Sequence, residues 1–86
     1  MAVIVVEPWD DGWTVRSDRL RHDMLFSSGR LAEIAAKRLG ERLAEGGEAV
    51  EIRVHVRGGA LAGRFVRPSA GVADPATVWG VSGQAG

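Results

Sequence analysis

Val50-Glu51-Ile52-Arg53-Val54-His55-Val56-Arg57 alternates an apolar residue with a polar one at every step. A period of two belongs to a strand with one face in a core and the other outside it. Val50, Ile52, Val54 and Val56 make the inner face wholly apolar and β-branched. Glu51, Arg53, His55 and Arg57 give the outer face three basic groups and one acid. This strand sets a core direction and also the chain's most distinctive surface.

Downstream, Gly58-Gly59 is a two-residue hairpin signal. Ala60 to Val66 returns, with Leu61 and Phe65 on one face and Ala62, Arg64 and Val66 on the other, and Pro68 ends it. Upstream, Leu31, Ile34, Ala35, Leu39 and Leu43 recur at three- and four-residue steps, the stripe of an amphipathic helix. Ser27 or Ser28 supplies its N-cap, and the helix should run from Gly29 or Arg30 to Glu45. Glu33 and Lys37 are spaced to pair on its solvent side. Gly46-Gly47 is its stop, and Gly40 offers a close approach to the sheet.

A further hairpin precedes the helix. Ala2 to Glu7 is a valine-rich strand ended by Pro8, and Asp10-Asp11-Gly12 is turn chemistry, with Gly12 free to take a positive φ. Trp13 to Ser17 returns, with Trp13 and Val15 on one face and Thr14 and Arg16 on the other. Met24-Leu25-Phe26 reads as a short extra strand. The expected fold is α+β, an antiparallel sheet of two hairpins with one helix on one face, in the order β-β-(β)-α-β-β. Residues 1–68 form the domain. Residues 69–86 form a Gly/Ala/Ser/Pro-rich tail with a short strand at 77–81.

Pro8, Gly12, Trp13 and Val15, then Ala32, Ala35 and Ala36, then Ile52, Val54, His55 and Gly59 form a wider pattern. It resembles a small bacterial family of domains of unknown function with a Pro…Gly-Trp-x-Val hairpin followed by helix and hairpin. The resemblance covers residues 3 to 66 and departs at the turn, where the family often has Asp-Gly and this chain has Gly58-Gly59. It implies the hairpin–helix–hairpin fold and brings no activity with it. At the level of fold alone, the opening hairpin and helix are similar to those of HicB-type antitoxins.

The chain has 86 residues, 45 % of them apolar, enough for one thin core that oligomerisation would thicken. Eleven basic residues balance eleven acidic ones, so no global field favours a polyanion. The distribution along the chain is less even: Arg53 to Arg67 hold four arginines and no acid, and Glu41 to Glu51 hold four glutamates and one arginine. There is no cysteine, which excludes disulfides, zinc–thiolate sites and thiol nucleophiles and fits a cytoplasmic location. No run reaches membrane-spanning length, so no membrane association is expected.

His22 and His55 lack metal-ligand spacing, and Arg53 and Arg57 beside His55 oppose a cation, so no metal site is expected. Asp10 and Asp11 point apart in a turn, and no Gly-x-Ser-x-Gly, Ser-x-x-Lys or phosphate-binding glycine pattern occurs. The reading is a non-enzymatic protein without cofactor. Its binding-face candidates are Arg16, Arg53, His55, Arg57 and Arg64, which suit phosphate contact or, as the plainer use, a solvated face paired with Glu51, Asp18 or Asp23. Trp13 and Phe65 have inward parity, which leaves this face without the stacking rings of single-strand readers. Val3 to Val6 is apolar in both parities and calls for a cover on each side. Ile4, Val6 and Trp79 are therefore the interface candidates. The expectation is protein–protein association as a homodimer; the alternative is a nucleic-acid-binding or antitoxin-like regulator using the arginine face.

Overall fold

A computed structural model describes residues 1–68 and the backbone of Gly80–Val81. Strands β1 (Ala2–Trp9), β2 (Gly12–Ser17) and β3 (Met24–Phe26) precede helix α1 (Gly29–Glu45). Strands β4 (Val50–His55), β5 (Leu61–Arg67) and β6 (Gly80–Val81) follow it. The sheet order is β3-β2-β1-β4-β5-β6, with α1 against one face, so the fold is α+β as expected. Each hairpin is antiparallel, but the join between them is parallel and the sheet is therefore mixed. A crossover explains it: α1 carries the chain back along the sheet, so β4 starts at the same end as β1. Gly80–Val81 pairs with the outer edge of β5; the rest of the strand expected at 77–81, Trp79 included, lies outside the described residues.

The parallel pair is the core. Ala2, Ile4 and Val6 lie opposite Val50, Ile52 and Val54, and all six are buried. Val15 of β2 lies opposite Val6 and is buried with them. Ile4 and Val6, expected as interface residues, are fully buried in this core, so the parity assigned to the interface is corrected. On the other face of β1, Val3 and Val5 are both half-buried.

Helix α1 also turns differently from its expected stripe. Its buried residues are Ala32, Ala36, Gly40 and Ala44, while Leu31 and Ile34 are 48 % and 39 % exposed. Four-residue steps align these small residues into one ridge, along which a helix backbone can approach a β-branched surface closely. Leu39 and Leu43 flank the ridge against the core. At the first turn a Cβ on Gly29 would come within 2.9 Å of Trp13 Cε2, so the Trp13 ring occupies the space a side chain would need.

The helix ends follow local chemistry. Ser28 is extended (φ −141°, ψ 154°), and its Oγ accepts from Leu31 N at 3.2 Å. At the other end Gly47 has φ 101°, with Gly47 N donating to Ala44 O at 3.0 Å and Glu48 N to Leu43 O at 3.0 Å. These are the two bonds of a Schellman stop. In the first hairpin it is Asp10, not Gly12, that has positive φ (53°). Gly12 is needed for another reason: a Cβ there would collide with the carbonyl oxygen of Phe26. Lys37 does not pair with Glu33; its Nζ lies 4.5 Å from the centroid of the Phe65 ring.

The ridge makes opposite predictions for neighbouring helix positions. Ala36→Leu should destabilise by about 1–3 kcal/mol through overpacking, whereas Ile34→Ala, at a partly exposed position, should cost less than about 1 kcal/mol. Urea melts of the two variants check this, and the reverse order would contradict the packing described.

Candidate functional site

The face of the sheet turned away from α1 is the candidate site. Pairing register places Leu25 beside Thr14, Arg16 beside Val5, and Thr14 beside Glu7. Val3 lies beside Glu51, Val5 beside Arg53, and Arg53 beside Arg64. None of the described helices or strands lies over this face.

Its centre is Glu51, which is only 3 % exposed although it points away from the core. Arg53 Nε and Nη2 donate to the two Glu51 oxygens at 3.2 and 3.3 Å, and Arg64 Nε donates to Oε2. Glu51 is thus held between guanidinium groups from its own strand and from β5. The bond from Arg53, with help from Arg64, holds the Glu51 carboxyl below its ordinary range, although its burial opposes this. An acid held ionised between two cations is a poor proton donor or acceptor near neutrality.

The other basic candidates are also engaged. Arg16 Nη1 donates to Glu7 Oε1 at 2.8 Å, and Arg16 Nε lies 3.5 Å from Asp23 Oδ2. Of the expected acidic partners, Glu51 and Asp23 serve this face. Asp18 instead accepts from Arg19, which also grips Glu48 and ties the β2–β3 loop to the end of α1. His55 Nδ1 lies 3.1 Å from Gly59 O. A carbonyl only accepts, so Nδ1 carries the hydrogen in this contact.

Arg57 leaves the strand face. β4 ends at His55, Val56 and Arg57 belong to the turn, and Val56 is exposed instead of continuing the inner face. Arg57 Nη1 donates to Asp10 O at 3.2 Å, which joins the two hairpin turns. A register shift at Val54/His55 also reverses the expected parity of Leu61. Leu61 now borders a shallow concavity with Glu51, Arg53, His55 and Arg64.

Trp9 is the residue that sequence reading missed. β1 continues through Pro8, so strand alternation carries Trp9 to the side of Val5 and Glu7. It is 63 % exposed, and Leu25, also on this side by register, is 69 % exposed. The signal was the parity of Trp9 itself, hidden by ending the strand at the proline. A second concavity, of about 480 Å³, is lined by Val3, Val5, Glu7, Arg16, Ser17 and the two aspartates Asp18 and Asp23. Among the described residues no three His, Asp or Glu side chains cluster as metal ligands, and no helix is long and apolar enough to cross a membrane.

Comparison with protein-family models, curated proteins and solved structures finds no significant match to this chain.

The Glu51 cluster generates a pH dependence. A carboxyl whose pKa is depressed by folding stabilises the fold above its unfolded pKa, and that contribution is lost as pH falls through the folded value. Wild-type stability should therefore fall on acidification below the ordinary carboxylate range, and Glu51→Gln should flatten part of that fall. At neutral pH Glu51→Gln should cost about 1–2 kcal/mol, because two guanidiniums lose their charged acceptor. Thermal melts across pH measure both effects; an unchanged acid limb in the variant would contradict the assignment.

Proposed function

We propose that this chain is a small non-enzymatic association module of the cytoplasm that pairs with a second copy of itself through the open face of its sheet. The observation that carries the reading is the composition of that face: half-buried Val3 and Val5 lie on it, with exposed Trp9, Leu25 and Leu61. Tryptophan and arginine are enriched where protein interfaces concentrate their energy. The charged groups on this face are already matched to one another, so a partner can cover them without leaving a charge unpaired. A thin two-layer domain also gains most from a third and fourth layer, since two sheets stacked face to face sit about 10 Å apart and share one core. The lack of cysteine supports the cytoplasmic placement.

A second reading, a nucleic-acid-binding or antitoxin-like regulator, draws on Arg16, Arg53, His55, Arg57 and Arg64. Exposed Trp9 favours it by adding a ring on which a base would stack. It ranks second because the arginines must exchange Glu7, Asp23, Glu51 and the Asp10 carbonyl for phosphate, and the three acids remain on the same face. Neutral overall charge gives no compensating attraction.

Sedimentation over a concentration series should show a dimer at micromolar chain. Trp9→Ala/Leu25→Ser, at two exposed positions, should shift it to monomer without changing the circular dichroism spectrum. A wild-type chain that stays monomeric overturns the homodimer. Salt-sensitive anisotropy with duplex or single-stranded probes, abolished in Arg53→Ala/Arg57→Ala, would transfer the face to the second reading.

A further inference from the structure

The arginines of the open face are all engaged, and the contrast with the helix side is informative. Arg38 and Arg42 are exposed, and among the described residues neither lies within ion-pair distance of a carboxylate. They stand one helical turn apart, a spacing at which like charges destabilise a helix by a few tenths of a kcal/mol. Both line a groove of about 340 Å³ in the seam between α1 and β3, with Leu31, Ile34, Met24 and Phe26 on its apolar walls. Leu31 and Ile34 are the largely exposed members of the stripe that α1 does not bury in the core. β3 is the edge strand of the sheet beside this groove, with no neighbour on its outer side among the described residues. The groove lining includes no aspartate or glutamate.

We propose that this seam is a docking site for an extended, acidic–apolar segment of a different protein, added as a strand beside β3. The distribution of charge selects the occupant. A segment with apolar residues at the Leu31–Ile34 end and carboxylates at the Arg38–Arg42 end would cover the exposed side chains and supply the absent counter-charges. Charge-assisted bonds to arginine are the stronger kind, and guanidinium groups accept carboxylates in pairs. The dimensions agree: Leu31 to Arg42 spans about 16 Å of helix, the length of about five residues of extended chain. Main-chain bonding to an open edge, with alternate side chains placed in an adjoining groove, is the general mode of strand addition. A second copy of this chain does not fit the site. An isologous contact would bring two Arg38–Arg42 pairs onto one interface without an acid between them. The groove is not lined by Val3, Val5 or Trp9, and of the residues assigned to the homodimer only Leu25 shares β3 with it.

A random library of extended peptides of about eight residues, displayed and selected against the full chain, tests this directly. The enriched sequences should combine apolar residues with aspartate or glutamate. Labelled copies should perturb the amide signals of Met24, Leu25 and Phe26. Arg38→Glu/Arg42→Glu should weaken their binding by roughly tenfold or more, and replacing the peptide acids by lysine should restore it in that variant. Arg38→Gln/Arg42→Gln, a milder change at the same exposed positions, gives the same loss without charge reversal if the first variant folds poorly. Trp9→Ala, at a position that does not line the groove, should leave the affinity unchanged. Selection of basic or uncharged peptides, failure to enrich any, or affinity indifferent to both arginine variants overturns the proposal.

Discussion

The parallel pairing of β1 with β4 is the constraint on which the remaining structure depends. It places Ile4 against Ile52 and Val6 against Val54, all on the face that receives α1. Each such side chain contributes about 1.5–3 kcal/mol when buried, and the contact is too shallow for large residues on both sides. The helix therefore meets these branched side chains with Ala32, Ala36, Gly40 and Ala44. Placing large residues on both partners would push the layers apart and open voids at the margins. The small ridge on α1 and the β-branched surface below it are two halves of one packing solution.

That solution has consequences for the rest of the helix. Once the small residues take the sheet, Leu31 and Ile34 are rotated toward β3, where a three-residue strand is too short to cover them. Arg38 and Arg42 line the same seam, and among the described residues neither has a carboxylate within ion-pair distance. The groove and its unpaired charge therefore follow from how the core packs.

Much of this was legible in the sequence, and the misreadings share a physical origin. The period-two strand at Val50–His55, the Ser28 cap, the Gly46-Gly47 stop and the inward parity of Trp13 and Phe65 are local signals, set by a few adjacent residues. Parity across a break is different. One residue more or less reverses every later assignment, and the register shift near Val54 moved Leu61 to the open face, while the passage of β1 through Pro8 brought Trp9 there. The helix stripe holds at Leu39 and Leu43, which pack against the core, and misses at Leu31 and Ile34 for another reason. A hydrophobic periodicity scores leucine and isoleucine above alanine, whereas contact distance with a valine-rich sheet favours the smaller residue. The parallel join was out of reach because chain direction between hairpins is set by the crossover and leaves no mark on either strand.

The charged half of the Val50–Arg57 alternation is best understood through Glu51. An acid at the centre of an arginine-bearing face looks like a defect in a phosphate-binding surface. In the structure it gathers Arg53 and Arg64 into a cluster that buries the acid itself. Guanidinium groups held this way present their apolar planes and stems outward more than their charge. Beside Val3 and Val5 such a surface is amphipathic, and across it Arg16, Arg53 and Arg64 are matched by Glu7, Asp23 and Glu51. Charge free of such compensation occurs on the opposite layer, at Arg38 and Arg42. A count of arginines along the sequence puts the weight on residues 53–67; their partners in space move the available positive charge to the helix.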